Sequence, residues 1–424
     1  MRILFIADAR STISRGWVKH FIERGDDVHV VSSYPCSSDM MPGATVYQAP
    51  IAFSGFSRVS HNGTIGPSRQ RSLITRGMAN LRIGALSGLS NAMRNWLGPI
   101  ELNRHVQRTR DLIARISPDI VHAMRIPFEG ILAAKATPAE FPLVISVWGN
   151  DFTLFASNNP LIARQTRKAL RRADALHTDC RRDLRLAIRE WGFQPEKPSS
   201  VLPSAGGIPA SVFHPGEADA TLRYQFQIPA GATVVINPRG FRTYVRNEVF
   251  FQAIPLVLKK HPEAIFICTG MESNPIAEKW VAVLGVDDNV RLLPVAPHHQ
   301  MADLFRLADI TVSPSQHDGT PNSLLEAMAC GCFPVAGDIE SVREWITDGE
   351  NGLLCDPTDK ASVASALLRA LEDRRLRDKA RAHNLQLIVE QVDYDNVMRK
   401  AEEFYHQVAR RAEAPHSGLI NVRN

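Results

Sequence analysis

The segment Ser313-Pro-Ser-Gln-His-Asp318-Gly-Thr-Pro-Asn-Ser323-Leu-Leu-Glu326-Ala-Met-Ala-Cys-Gly331 places two carboxylates around a turn-rich stretch and the start of an apolar periodic run. Thr320 is a good N-cap and Pro321 suits the first helical position, so the pattern predicts a helix over 321–330 that stops at Gly331. Its amino terminus would offer the backbone N–H groups of Asn322 and Ser323, the Ser323 hydroxyl and the positive end of the helix dipole, a place for a diphosphate. The dipole alone contributes only about 0.3–1 kcal/mol per charge, up to ~2 kcal/mol when partly buried, so further cations are needed. Arg239, Arg242 and Arg246 follow an apolar run at 234–237 and can supply them; the competing reading is three solvated loop arginines. Glu326, about one and a half turns into the helix, can reach past a phosphate to paired hydroxyls such as a ribose diol, or simply complement the helix start. Asp318 can meet a sugar or serve only the turn. Gly270, Ser315, Gly319 and Leu324 complete the donor-side candidates.

The elements that must carry these residues read as two successive strand–helix alternations. In the first half, strands are predicted at Ile3–Ala7, Val28–Ser33, Asp119–Ala123 and Leu143–Val147, with a helix at Gly16–Arg24, the opening of a parallel sheet. Ligands bind at strand carboxyl ends in such sheets, so the loops Asp8–Arg15, His122–Glu129 and Trp148–Phe152 should share one crevice. Asp8, Arg10, Ser11, His122, Trp148, Asn150 and Asp151 are acceptor-side candidates by that position. A lone histidine ending a buried strand, and a large ring there, are each also ordinary core residues. The second alternation predicts strands at Val234–Asn237, Ile265–Thr269, Val290–Leu293, Ile310–Ser313 and Phe333–Ala336, with helices near Val249–Lys260, Glu278–Leu284, Met301–Ala308 and Pro321–Cys330. The turn cluster from Pro203 to Gly216 marks a junction. The domains expected are therefore 1–203, a linker at 204–216, a second α/β domain at 217–375, helices at 376–412 returning to the first, and a frayed tail at 413–424.

Asp318-(x)7-Glu326 with Ala-Met-Ala-Cys-Gly, then Pro334-Val-Ala-Gly-Asp338 and Asn351-Gly-Leu-Leu-Cys-Asp-Pro357, resembles the donor-binding signature of retaining glycosyltransferases of family 4, also called group 1. The resemblance covers about residues 1 to 375 and is strongest from Ala308 to Pro357. The first strand and helix with Trp17-Val18, the crossing loop Leu202–Pro215, and Arg239-(x)6-Arg246 are similar to family features as well. The family usually has Glu where Asp318 stands, and many members have a His-Gly-x-Asp stretch where this chain has Trp148-Gly-Asn150-Asp151. The resemblance implies two doubly wound Rossmann-like domains facing across a cleft, the GT-B arrangement. It implies a UDP- or GDP-linked sugar donor held by the second domain, and a glycan, lipid-linked or small-molecule acceptor on the first. Transfer would proceed with retention, without an essential metal or cofactor, in cell-surface polysaccharide or glycoconjugate synthesis. Family spacing favours Arg239 and Arg246 as the diphosphate clamp, with Arg242 as substitute, and places Asp318 and Glu326 with them in the catalytic set. A GT-B nucleotide-sugar epimerase and a non-catalytic sugar-nucleotide binder remain as alternatives.

Composition narrows the class further. The 424 residues are 44% hydrophobic and 22% charged, as in a globular chain large enough for two cores, and no repeat or low-complexity tract appears. The six cysteines form no CxxC pair or zinc-spaced cluster, so reduced thiols are expected, with Cys330-Gly-Cys332 packing around a helix stop. No apolar run is long enough to span a bilayer, and the short first apolar stretch reads as a strand rather than a signal core, which points to the cytoplasm. Residues 1–215 carry 27 Lys and Arg against 16 Asp and Glu, whereas the remainder carries 22 against 28. Ten arginines between Arg58 and Arg115, interleaved with Leu73, Met78, Leu81, Met93 and Trp96, are read either as helices with solvated cations or as a peripheral contact for an anionic membrane. No nucleic-acid partner is expected.

Overall fold

The computed structural model describes residues 1–51 and 101–413; most of the arginine-rich stretch and the tail beyond 413 lie outside them. The described chain divides into two compact units. One comprises Met1–Thr178, Asp183–Val201 and the chain from Glu402 on; the other comprises Asp179–Arg182 and Leu202–Ala401.

In the first unit, β1 (Arg2–Ala7), β2 (Asp27–Ser32), β3 (Thr45–Gln48), β4 (Ile120–Ala123), β5 (Leu143–Val147), β6 (Ala175–Thr178) and β7 (Ser199–Val201) form a parallel sheet in the order β3-β2-β1-β4-β5-β6-β7. The order reverses between β1 and β4, whose register runs from Ile3 opposite Ile120 to Ile6 opposite Ala123. That reversal opens a crevice at the strand carboxyl ends. Alternation along the strands splits the core: Leu4, Ile6, Val121, Ala123 and Ile145 belong to one apolar layer. On the other side, Phe5 packs against Phe21 and His122. The helix Thr12–Glu23 supplies Trp17 and Phe21 there, and Tyr405 of the helix Tyr394–Glu413 stacks on Phe21 with ring centroids 4.8 Å apart.

The second unit repeats the plan. Its strands β8 (Val234–Asn237), β9 (Ile265–Thr269), β10 (Val290–Leu293), β11 (Ile310–Ser313), β12 (Phe333–Gly337) and β13 (Leu353–Cys355) pair in parallel in the order β10-β9-β8-β11-β12-β13. The switch point lies between β8 and β11, so the loop with Arg239 and the loop with Asp318 leave adjacent strands on the same side. Apolar layers cover both faces, one with Val235, Phe266 and Val312, the other with Val234, Ile236 and Leu325.

The unit boundaries differ from those read in the sequence. Residues 202–216 are not a free linker but part of the second unit, where Ile208 and Phe213 are buried in its core. The helix Arg374–Gln391 also stays there, because Leu376, Ala380 and Ile388 bury into it and Asn384 bonds Asn351; only the chain from Glu402 on groups with the first unit. All six cysteines are free, and Cys332 donates to the carbonyls of Phe305 and Ala308. Among the described residues no helix is long and apolar enough to cross a membrane.

Candidate functional site

The helix expected over 321–330 runs over Asn322–Ala329, with Pro321 as its N-cap residue and Gly331 at φ +96° beyond Cys330. Thr320 does not cap it. Its hydroxyl donates instead to the carbonyl of Asp179, which ties the loop to the segment Asp179–Arg182. The N–H of Asn322 is spent on the Thr320 carbonyl and that of Leu324 on Pro321, leaving the N–H of Ser323 as a first-turn donor with no acceptor among the described residues. The Leu324 side chain is buried in the core, so it serves packing rather than a ligand.

Arg239 reaches this helix start. Its guanidinium lies 2.8 Å from Asp318 Oδ2 and 3.4 Å from the Ser323 hydroxyl, to which it donates. Burial pushes the Asp318 carboxyl above its ordinary value, with Arg239 foremost among the charges pulling it back. The Glu326 carboxyl makes no hydrogen bond among the described residues; burial pushes it up to about 8, against the pull of Arg239. The other two arginines diverge. Arg242 donates to the Tyr244 hydroxyl and its charge still acts on Asp318, whereas Arg246 pairs with Glu248 at 3.2 Å and acts on Asp356. The structure therefore brings together Arg239, Asp318, Ser323 and Glu326, and sets Arg246 apart from them.

The loops beneath are tightly braced. Gln316 N–H donates to the Tyr244 carbonyl, joining the two site loops directly. Ser315 is buried against Ser313, 3.2 Å between hydroxyls. Gly270, at φ +68°, brings its backbone against Gly240, so a side chain there would meet both strain and the Arg239 loop. Gly319 leaves no room for a Cβ beside the Asp179 carboxylate. Arg182, unremarked in the sequence, donates to the Asp318 carbonyl at 2.8 Å and to Ser341 at 3.1 Å, while Ser341 donates to the same carbonyl. No local pattern announces Arg182, because it lies 136 residues from its partner.

The first unit holds a separate cavity of about 450 Å³ at its own switch point, lined from the loops after β1, β4 and β5. Asp8, Ser11 and Trp148 line it. Asp8 is bound by Arg10 at 3.0 Å, and Ser11 N-caps the helix Thr12–Glu23 by accepting from Ser14 N–H. Asp151 is fully buried: it accepts from Arg125 at 2.9 Å and from the Trp148 N–H at 3.0 Å, so it positions those residues rather than meeting a ligand. Asn150 keeps a buried carbonyl oxygen without a partner among the described residues. His122 is not available to an acceptor. It is wholly buried, with one ring nitrogen on the Tyr405 hydroxyl and the other 2.7 Å from Ser146, and burial holds its pKa well below the usual histidine range. Arg125, Glu129, Tyr34 and Ser14 join the lining without having been singled out in sequence, although Arg125 and Glu129 fall in the predicted crevice loop.

Two sheets of Rossmann strand order, each carrying polar loops at its switch point, define a doubly wound α/β protein. Residues 219–385 match the family described as glycosyl transferases group 1, and residues 11–201 match the glycosyl transferase 4-like domain. The chain belongs to the group 1 glycosyltransferases, of the family 4 type. It is 30% identical over 211 residues to a D-inositol 3-phosphate glycosyltransferase of Thermobispora bispora, covering 47% of this chain and 48% of that one. It is 29% identical over 216 residues to the protein of the same name from Streptosporangium roseum, covering 49% of each. The matched part thus spans about half the length of these curated relatives. Among solved structures, sucrose-phosphate synthase from Thermosynechococcus elongatus superposes with a TM-score of 0.73 at 15% identity, over 97% of this chain and 100% of that one. HepE of Anabaena, solved in complex with UDP, gives 0.69 at 16% identity over 96% and 100%. These likenesses establish the GT-B fold.

Proposed function

We propose that the protein transfers a glycosyl group from a nucleotide-diphosphate sugar to an acceptor hydroxyl with retention of configuration. The observation that carries this reading is the joint placement of Arg239 on Asp318 and on Ser323 at the start of the helix Asn322–Ala329, with the unbonded carboxyl of Glu326 in the same electrostatic neighbourhood. Arg239 and the Ser323 N–H receive the diphosphate, Glu326 meets the ribose hydroxyls, and Asp318 orients Arg239 and faces the sugar. As the anomeric carbon–oxygen bond breaks, charge gathers on the departing diphosphate, where a fixed cation and N–H stabilise the transition state more than the ground state. The acceptor oxygen bonds to the anomeric carbon from the face the diphosphate leaves, and its proton passes to a diphosphate oxygen. No protein nucleophile is assigned.

The acceptor lies on the first unit, with Asp8 and Trp148 at its cavity. Family membership and the named activity of the curated relatives support the transferase reading over an epimerase or a non-catalytic binder. Arg239 and the Ser323 N–H can neutralise the diphosphate without a divalent ion, which supports a metal-independent transfer. Synthesis of cell-surface polysaccharide or glycoconjugate, at the cytoplasmic face of an anionic membrane, is the setting suggested by the basic excess of residues 1–215. The test is a thermal-shift screen of UDP- and GDP-sugars followed by nucleotide-release assays in EDTA. Stabilisation by one donor and undiminished turnover under chelation are expected; no stabilisation by any nucleotide sugar refutes the reading.

A further inference from the structure

The last helix sends one side chain into a polar chain that crosses the first unit and that the proposed transfer does not use. Tyr405 is wholly buried, and its hydroxyl stands between the Trp17 indole nitrogen, at 3.0 Å, and Nδ1 of His122. His122 Nε2 lies 2.7 Å from the Ser146 hydroxyl, which lies 2.8 Å from Nδ1 of His177. Trp17, His122, Ser146 and His177 are each at most 1% exposed. An indole N–H can only donate, and this sets every proton in the chain. Tyr405 accepts from Trp17 and donates to His122 Nδ1, the other partner of its hydroxyl among the described residues. His122 therefore carries its proton on Nε2 and donates to Ser146, which donates to His177 Nδ1. The arrangement requires both imidazoles to be neutral.

The elements that meet Tyr405 through this chain also wall the cavity of the first unit. Trp17 lies three residues beyond Ser14 on the helix Thr12–Glu23, His122 three before Arg125, and Ser146 two before Trp148; Ser14, Arg125 and Trp148 all line the cavity. Tyr405 thus fastens the chain from Glu402 on to the three elements that shape that cavity.

A second proton on His122 breaks the chain. It removes Nδ1 as an acceptor, orphans the Tyr405 O–H, and leaves a buried imidazolium with no carboxylate bonded to it among the described residues. Burial first, and then the His177 ring, with centroids 6.2 Å apart, hold the His122 pKa well below its ordinary 6.5. Other titratable and charged groups face each other at the rim. His20 and Arg24 of the helix Thr12–Glu23 meet Glu402 at 2.7 and 2.6 Å, and Arg24 also meets His406 at 3.2 Å and Asp26 at 3.4 Å.

We propose that the Tyr405 chain is an acid-sensitive lock: proton uptake at its histidines frees the helical segment from Glu402 on and loosens the elements that wall the cavity.

Hydrogen exchange of the full chain tests this between pH 7.5 and pH 5.5, with rates referred to those of the unfolded peptide at each pH. A histidine that titrates at its ordinary 6.5 in the open form favours opening about tenfold over that range, so protection at amides 404–408 and 124–129 should fall by about that factor. Amides 265–269 of the second unit should change less than about twofold. His122→Asn, which does not titrate, should keep the protection of both segments within about twofold across the range, whatever its level at pH 7.5. His20→Gln and His406→Gln should show the same fall as the native chain. Ring nitrogen chemical shifts of the native chain, a readout that needs no variant, should place the His122 proton on Nε2 at pH 7.5. Protection that stays flat at either segment of the native chain, a fall that survives in His122→Asn or disappears in a rim variant, or a His122 proton on Nδ1 overturns the inference.

Discussion

Replacing Arg239 by alanine should produce two separable losses. The guanidinium stands 2.8 Å from Asp318 Oδ2 with both side chains only 12% exposed, and it also donates to Ser323 at 3.4 Å. A charge-assisted hydrogen bond to a ligand diphosphate contributes about 1.5–3 kcal/mol, which weakens the UDP Kd by about 10- to 150-fold when lost. The second loss is internal. Breaking a buried ion pair by removing one partner costs about 3–5 kcal/mol. Burial already raises the Asp318 carboxyl from its ordinary value, and losing Arg239 raises it further, so uptake of a proton lowers the expected cost to about 1–3 kcal/mol. The two effects are told apart by the double variant Arg239→Ala/Asp318→Asn, which removes the orphan charge without returning a cation. Urea unfolding at pH 7 should show most of the lost stability restored, while calorimetry with UDP should show the weakened Kd persisting. An Arg239→Ala protein with the wild-type unfolding midpoint and an unchanged UDP Kd would refute the argument, as would recovery of UDP binding on adding Asp318→Asn.

Glu326 gives a pH signature. Its folded carboxyl titrates at about 8, above the ordinary value of 4.5, so the native state holds more protons than the unfolded chain between those limits and stability falls as pH rises across them. Glu326→Gln removes that contribution, so its stability relative to wild type should climb by about 1–3 kcal/mol between pH 4.5 and pH 8.5, read from urea midpoints; parallel curves would exclude the effect. Arg182→Ala removes one of the two donors at the Asp318 carbonyl, leaving Ser341. It should cost about 1–3 kcal/mol of stability and weaken UDP binding severalfold through the displaced loop, with partial recovery in Arg182→Lys; an unaltered UDP Kd would show that the loop holds without it.

What could be read from the chain follows from which interactions are local. The strands Leu143–Val147, Val234–Asn237, Ile265–Thr269, Val290–Leu293 and Ile310–Ser313 fall where their apolar runs place them. A parallel strand buried on both faces must be apolar throughout, and its neighbours are polar turns. β3 and β7 at the sheet edges escape that signal, since Thr45–Gln48 is only half buried and Ser199–Val201 is three residues long. The start of the helix after Pro321 was legible to within one residue, but its cap was not. Thr320 has the right side chain for capping, yet its hydroxyl is claimed by the carbonyl of Asp179, 141 residues away. His122 shows the same limit from the other side: its type and strand-end position suit a ligand, but Tyr405, 283 residues on, takes one ring nitrogen and Ser146 the other. The sorting of Arg239, Arg242 and Arg246 likewise depends on where Asp318, Tyr244 and Glu248 fall, because any of the three has the reach. Residue type and spacing locate the loops that can hold a diphosphate, since strand order fixes which loops meet at the switch point. Which side chain is committed elsewhere is decided by partners near and far: Glu248, two residues on, takes Arg246, whereas Asp318 holds Arg239 and Tyr405 holds His122 from far along the chain.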